Sequence, residues 1–163
     1  MRSTERPRVT LSAVAKRVAA VRISTLLRMG WRLHRGLYRL SGGRFGSRLG
    51  PWSTLLLVTR GRKSGERRTA GLNYLTDDGR LVVVGSYAGE DRHPAWWLNP
   101  LADPRAEVQV GSARYPVTAR ELEGADRDRM WARVVETDPS YAEYQRRTTR
   151  RIPVVVLERT ADA

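Results

Sequence analysis

The chain contains no cysteine. Disulfides, thiolate zinc sites, iron–sulfur clusters and cysteine nucleophiles are excluded together, and the composition fits a reducing compartment. Histidine is nearly as scarce. His34 and His93 are the only two, and they lie far apart in sequence, so no metal ligands are assigned. Only Lys16 and Lys63 among the thirty basic residues are lysines. No segment approaches the roughly 20 apolar residues needed to span a bilayer. Arg or Lys interrupts every early apolar run, so no secretory pattern follows Met1 and a cytoplasmic protein is expected. The sequence also lacks a G-x-S-x-G elbow, a P-loop, an H-E-x-x-H pair and a G-x-G-x-x-G after a strand. With these missing, hard chemistry is expected to reside in a bound cofactor.

What is present is an uneven charge. At 163 residues the chain suits one domain with a real core. Its formal charge is +13, but residues 1–50 hold twelve of the Arg/Lys residues and one acid, for +11. Residues 51–163 hold eighteen basic and sixteen acidic residues, for +2. A nucleic-acid-binding domain carries its excess on the folded body, interleaved with stacking aromatics, so no nucleic-acid partner is expected. Residues 1–9 read as a tail, and Leu11 to about Leu40 as helix. There Arg28, Arg32, Arg35 and Arg39 share one face, opposite Leu26, Leu33, Leu37 and Leu40. Such a helix can lie on an anionic membrane surface or pack its leucines on its own domain. The division is thus 1–40, a basic tail and amphipathic helix, and 41–163, the main domain.

After Ser41-Gly42-Gly43 and Pro51 the pattern turns to short strands: Ser53–Thr59, Thr69–Leu75, Leu81–Gly85, Glu107–Val110, Tyr115–Ala119 and Pro153–Leu157. Thr76-Asp77-Asp78-Gly79 reads as a hairpin turn. Helices are expected over His93–Leu101 and Gly124–Thr137, with Met130, Trp131, Val134 and Val135 inward, and again after Asp138-Pro139. About six antiparallel strands with helices inserted late predict an α+β, mainly β domain: a small barrel with flanking helices.

Three segments carry candidate chemistry. Arg60–Thr69 joins two strands and crowds four arginines, Lys63, Ser64 and Thr69 around Gly61 and Gly65. Such a loop suits phosphate or polycarboxylate groups, through charge-assisted hydrogen bonds and outward backbone N–H groups, or is a solvated hairpin tip. Gly85-Ser86-Tyr87-Ala88-Gly89 follows a buried strand, and its small residues let a flat ring approach. His93-Pro94-Ala95-Trp96-Trp97-Leu98-Asn99 adds an aromatic wall and an amide, with core packing as the other reading of the tryptophans. Tyr141 and Tyr144 share a helical face, either as ordinary core tyrosines or as a phenol pair that orients or protonates a substrate.

The ordered set Ser41-Gly42-Gly43-Arg44, Gly61-Arg62-Lys63-Ser64-Gly65, Gly85-Ser86, His93-Pro94-Ala95-Trp96 through Asn99, Pro139 to Gln145 and Arg151-Ile152-Pro153-Val154-Val155-Val156 resembles the deazaflavin-dependent nitroreductase family. The likeness runs from about Leu33 to Arg159. It implies a split β-barrel of the FMN-binding type that binds coenzyme F420, a deazaflavin with a phosphate and a polyglutamate tail. By resemblance, Arg62, Lys63, Ser64, Gly65, Arg68 and Thr69 hold phosphate and tail. Val84, Gly85, Ser86, His93, Pro94, Trp96, Trp97 and Asn99 surround the ring, and Ser86, Tyr141 and Tyr144 meet the acceptor. The implied reaction is hydride transfer from reduced F420 to a quinone-like or nitroaromatic acceptor. FMN on the same fold, or F420 binding without turnover, are the alternatives; peripheral membrane contact through residues 11–40 and homodimer formation are open. Asp138 stands where the family often has a further tyrosine, Tyr87-Ala88 where Lys-Gly is usual, and Arg67 where proline is common.

Overall fold

In the computed structural model, residues 48–49 and 52–160 are described. The basic segment 1–40 and the Ser41–Arg44 motif lie outside them, as does the proposed boundary at residue 41.

Seven strands form one antiparallel sheet: β1 (Arg48–Leu49), β2 (Trp52–Arg60), β3 (Arg67–Asp77), β4 (Arg80–Val84), β5 (Arg105–Val110), β6 (Ala113–Glu121) and β7 (Val154–Arg159). The order is β1-β2-β3-β4-β7-β6-β5, and β2 also pairs with β5 through Leu56↔Gln109 to Thr59↔Ala106. That pairing closes β2 to β7 into a six-stranded barrel, the expected architecture.

Side-chain alternation along each strand sets inside against outside. Leu55 and Leu57 of β2, Leu81 and Val83 of β4, Val108 of β5, Val117 and Ala119 of β6, and Val155 and Leu157 of β7 fill the interior. The opposite faces of β4 and β7 are apolar too. Val82, Val154 and Val156 meet Met130 and Leu122 outside the barrel, so the continuous valine runs are buried on both sides.

Three helices are described: α1 (Ala95–Leu98), α2 (Gly124–Thr137) and α3 (Ser140–Arg146). The first is shorter than the expected 93–101. Pro94 precedes it in extended conformation, and single turns carry the chain from Asn99 to Asp103. α2 has the predicted bounds, with Met130 and Val134 fully buried. Trp131 is half-buried beneath the Arg127 guanidinium, 4.7 Å from its ring centre. The β3–β4 turn is tighter than expected. Only Asp78 and Gly79 form it, with φ 49° and 78°, the pair of positive values a two-residue type I′ hairpin needs.

Asp77 is therefore a strand residue, 5% exposed. Arg129 donates to its two oxygens at 2.8 and 2.9 Å, Arg133 at 3.0 Å and Arg80 at 2.9 Å. Three arginines on one carboxylate lock α2 to the β3–β4 hairpin. Hydrogen bonds from Arg129 hold the Asp77 carboxyl at about 2, against an ordinary 3.8.

Candidate cofactor and reaction site

The β2–β3 loop and the segment after β4 lie at the same end of the barrel, because β2 and β4 run in the same direction between antiparallel neighbours. In the β2–β3 loop the Gly61 N–H donates to Glu66 O at 2.8 Å, and the Gly65 N–H to Gly61 O at 2.7 Å. Gly65 has φ +69°, which its sequence position supplies without strain. The fold back leaves Arg62, Lys63 and Ser64 exposed at the tip. Among the described residues no carboxylate pairs with Arg62 or Lys63, and the N–H groups of Lys63 and Ser64 have no partner. Arg68 bridges Glu66 at 2.7 Å and donates to Ser64 Oγ at 3.3 Å, while Arg67 bridges Glu107. Thr69 is half-buried in β3.

Asn99 fixes this loop from below. Its Oδ1 accepts from the Arg62 N–H at 3.3 Å, and its Nδ2 donates to Thr59 Oγ1 at 2.9 Å. The amide predicted beside a ring is thus occupied by the loop. Trp97, 3% exposed, belongs to the barrel core, whereas Trp96 is half-buried against that core and Pro94 is buried.

After β4 the chain makes a short 3-10 turn, Tyr87–Gly89. Ser86 is in the right-handed helical region, and Tyr87, Ala88 and Gly89 follow with φ 48°, 53° and 80°. The two glycines of this segment serve protein packing. A Cβ on Gly85 would stand 2.6 Å from Pro153 Cγ, and one on Gly89 2.7 Å from Tyr144 O. The Tyr87 ring is exposed, with Arg92 5.3 Å from its centre and donating to its Oη at 3.1 Å.

The segment is held by Arg150, a residue sequence reasoning missed. Its Nε donates to Glu90 O at 2.8 Å, Nη1 to Gly85 O at 3.1 Å and Nη2 to Ser86 O at 2.6 Å. Nη1 also reaches His93 Nδ1 at 3.5 Å. A guanidinium has no acceptor, so Nδ1 is the acceptor and the neutral imidazole carries its proton on Nε2. Burial, then the Arg150 charge, pushes the His93 pKa down, in agreement. In the sequence, Thr148-Thr149-Arg150-Arg151 reads only as a polar connection.

Tyr141 and Tyr144 of α3 meet edge to face, ring centres 5.6 Å apart, and Trp52 lies 5.4 Å from Tyr141. Val84 packs in the same cluster, so the Ser86 strand end and the phenol pair adjoin. Tyr141 is 9% exposed, and burial, reinforced by Asp138 and Tyr144, pushes its pKa well up. The phenol stays protonated. Asp138 accepts from the Ser140 N–H at 3.0 Å and from Trp52 Nε1 at 3.3 Å, bonds that lower its pKa and start α3. Its carboxylate is therefore tied to Trp52 and the helix start.

A closed six-stranded barrel with an arginine- and lysine-bearing loop beside a phenol-lined strand end defines the split-barrel class of cofactor-dependent reductases. The chain belongs to the F420H(2)-dependent quinone reductase family, whose sequence profile matches residues 30–159. An F420H(2)-dependent quinone reductase of Mycobacterium tuberculosis is 42% identical over 132 residues, covering 78% of this chain and 89% of the relative. Among solved structures, an F420-H2 dependent reductase (FDR-A) aligns with TM-score 0.59 and 42% identity, over 64% of this chain and 93% of that one. A second, described as a domain-swapped dimer, aligns with TM-score 0.62 and 36% identity, over 80% and 99%. HutZ, a heme storage protein from Vibrio cholerae, shares the fold alone, at TM-score 0.51 and 13% identity.

Proposed function

We propose that the protein is an oxidoreductase that uses reduced coenzyme F420 to convert a quinone to a quinol, with nitroaromatics as further acceptors to be tested. The observation that carries this reading is the Gly61–Gly65 loop. It presents Arg62, Lys63 and two unpartnered N–H groups from a domain of near-neutral charge, at the barrel end that bears Ser86. That donor set fits a phosphate followed by carboxylates, and it exceeds what a single phosphate requires.

When bound, F420H2 supplies the hydride. The protein's part is positioning. Arg62, Lys63 and Ser64 anchor the anionic tail, assisted by Gly65, Arg68 and Thr69, while Asn99 keeps the loop in register. Val84, Gly85, Ser86, Pro94 and Trp96 border the ring, backed by Trp97 and by a neutral His93. Tyr141, kept protonated by burial, donates a hydrogen bond to an acceptor oxygen; a phenol of raised pKa is a hydrogen-bond donor rather than an acid at neutral pH. Tyr144 sets the Tyr141 ring. The proton completing the quinol therefore comes from solvent.

Titrating the protein with F420 and with FMN, followed by tryptophan fluorescence, tests the cofactor; tighter binding of FMN would reject the reading. Single-turnover oxidation of F420H2 by menadione tests the reaction, since a protein that only sequesters the cofactor leaves it reduced. A hydrophobic quinone also gives the basic 11–40 segment a role, as a peripheral contact with the membrane that holds the acceptor. Self-association is a second partner reading, motivated by the relative described as a domain-swapped dimer and checked by sedimentation.

A further inference from the structure

We propose that Arg150 is a positioning residue for hydride transfer: its guanidinium sets the Gly85–Glu90 backbone, so that the Ser86–Ala88 N–H groups face the reactants. The inference rests on the proposed function and extends it to a residue outside the Ser86, Tyr141 and Tyr144 set.

The segment 86–89 is costly in isolation. Tyr87 and Ala88 both have φ near +50°, a left-handed region that an L side chain occupies only under strain. Something must over-determine it, and Arg150 does so with bonds to the carbonyls of Gly85, Ser86 and Glu90, which flank the strained pair on both sides. Arg150 is fixed in turn. Gln145 Nε2 donates to Arg150 O at 2.9 Å, Gln145 Oε1 accepts from the Ile152 N–H at 3.0 Å, and the Arg150 N–H donates to Thr148 Oγ1 at 3.3 Å. The rigid chain thus runs from α3, which carries Tyr141, through Gln145 and Arg150 to Ser86.

The imposed conformation has a chemical use. A right-handed residue followed by a left-handed one turns successive N–H groups to one side, a concavity that receives a negative oxygen. Ser86 and Tyr87 make that pair, and among the described residues the N–H groups of Ser86, Tyr87 and Ala88 have no partner. Hydride delivery to a quinone leaves one oxygen negative until it is protonated. Donors held in place before the reaction stabilise that charge without reorganisation. With three carbonyls tied to one cation, Arg150 draws those oxygens together and leaves the N–H groups outward.

The test uses Arg150→Ala and Arg150→Lys in the full chain. A lysine keeps the charge but cannot reach three carbonyls in one plane. Both variants are expected to lose on the order of 10²-fold in the single-turnover rate of F420H2 oxidation by menadione. F420 affinity should change less than about threefold, since the tail loop is separate, and guanidinium ion should restore part of the rate in Arg150→Ala but not in Arg150→Lys. Amide hydrogen exchange without cofactor gives a second readout: peptides covering 85–90 should exchange faster in both variants, with the barrel strands unchanged. An unaltered rate, full activity in Arg150→Lys, or unaltered exchange at 85–90 overturns the proposal, as does a uniform loss of protection across the barrel. Wild-type protein that leaves F420H2 unoxidised rejects the functional reading instead, and the exchange experiment then still decides whether Arg150 holds the segment.

Discussion

Asn99 commits both ends of its buried amide, accepting from the Arg62 N–H of the basic loop and donating to Thr59 at the end of β2. Asn99→Ala removes two hydrogen bonds and leaves the hydroxyl of Thr59, a residue 3% exposed, short of its donor. Its expected cost is about 1–3 kcal/mol of stability, together with weaker F420 binding because the loop loses its register. Lys63→Ala should behave differently. Lys63 is exposed and bonded to nothing described, so its loss leaves the melting temperature unchanged and weakens F420 binding roughly tenfold. Equal effects of Lys63→Ala and Arg28→Ala on binding, measured by fluorescence titration, would mean that general positive charge rather than loop geometry holds the tail. Tyr141→Phe completes the residue scale. It keeps the ring contact with Trp52 and deletes only the hydroxyl, so the menadione KM should rise without a change in the pH profile. A lost ionisation in that profile would identify Tyr141 as a proton donor after all. Tyr141 and the loop residues stand out in the sequence because their residue types suit hydrogen-bond donation and anion binding. The sequence offers Asn99 only as an amide beside the ring, not its bonds to Arg62 and Thr59, and it does not single out Arg150 at all, since their partners lie 37 to 65 residues away and no local spacing reveals them.

The strands and α2 were legible as elements because each buries a face with its own period: alternate residues on β2, and Met130 and Val134 one turn apart on α2. What pattern could not give is how α2 is oriented on the barrel. Its mean polarity is high and its fully buried apolar residues are few, so ionic contacts do part of the work. The sequence places Asp77 among four turn residues, because Asp-Asp-Gly is turn chemistry. The structure instead makes it the common anchor of Arg80, Arg129 and Arg133. Asp77→Asn should destabilise the protein by about 2 kcal/mol, below the cost of stranding a fully buried ion, since the three arginines keep contact with water. Because the folded pKa lies below the unfolded one, this contribution is complete above about pH 4 and is lost as the pH falls toward 2. Urea unfolding of wild type and Asp77→Asn between pH 7 and pH 2.5 checks it: the gap between them should narrow steadily below about pH 4 and close only as the pH approaches 2. A gap that stays constant would assign the effect to packing rather than charge.

At the scale of the molecule, barrel closure brings the chemistry together. β2 and β4 run in the same direction on either side of β3, so the basic loop and the Ser86 segment emerge at one end, and the β2–β5 pairing closes the barrel beside them. Strand count and hairpins predicted a barrel, whereas the β4–β7 and β2–β5 pairings that close it are long-range and carry no signature of their own. The same scale sets the last prediction, which concerns how charge divides along the chain. Residues 51–163 are close to neutral, so any attraction to an anionic bilayer is expected from the +11 of residues 1–50 rather than from the rest of the chain. Full-length protein should float with vesicles containing phosphatidylglycerol but not with neutral phosphatidylcholine vesicles, and salt well above 0.15 M should release it. Removal of residues 1–40 should abolish flotation while F420 binding, which depends on the loop after β2, persists. Flotation of the truncated protein would place the membrane contact on the barrel. Flotation of the full chain with neutral vesicles would assign it to the leucines of the segment rather than to its arginines.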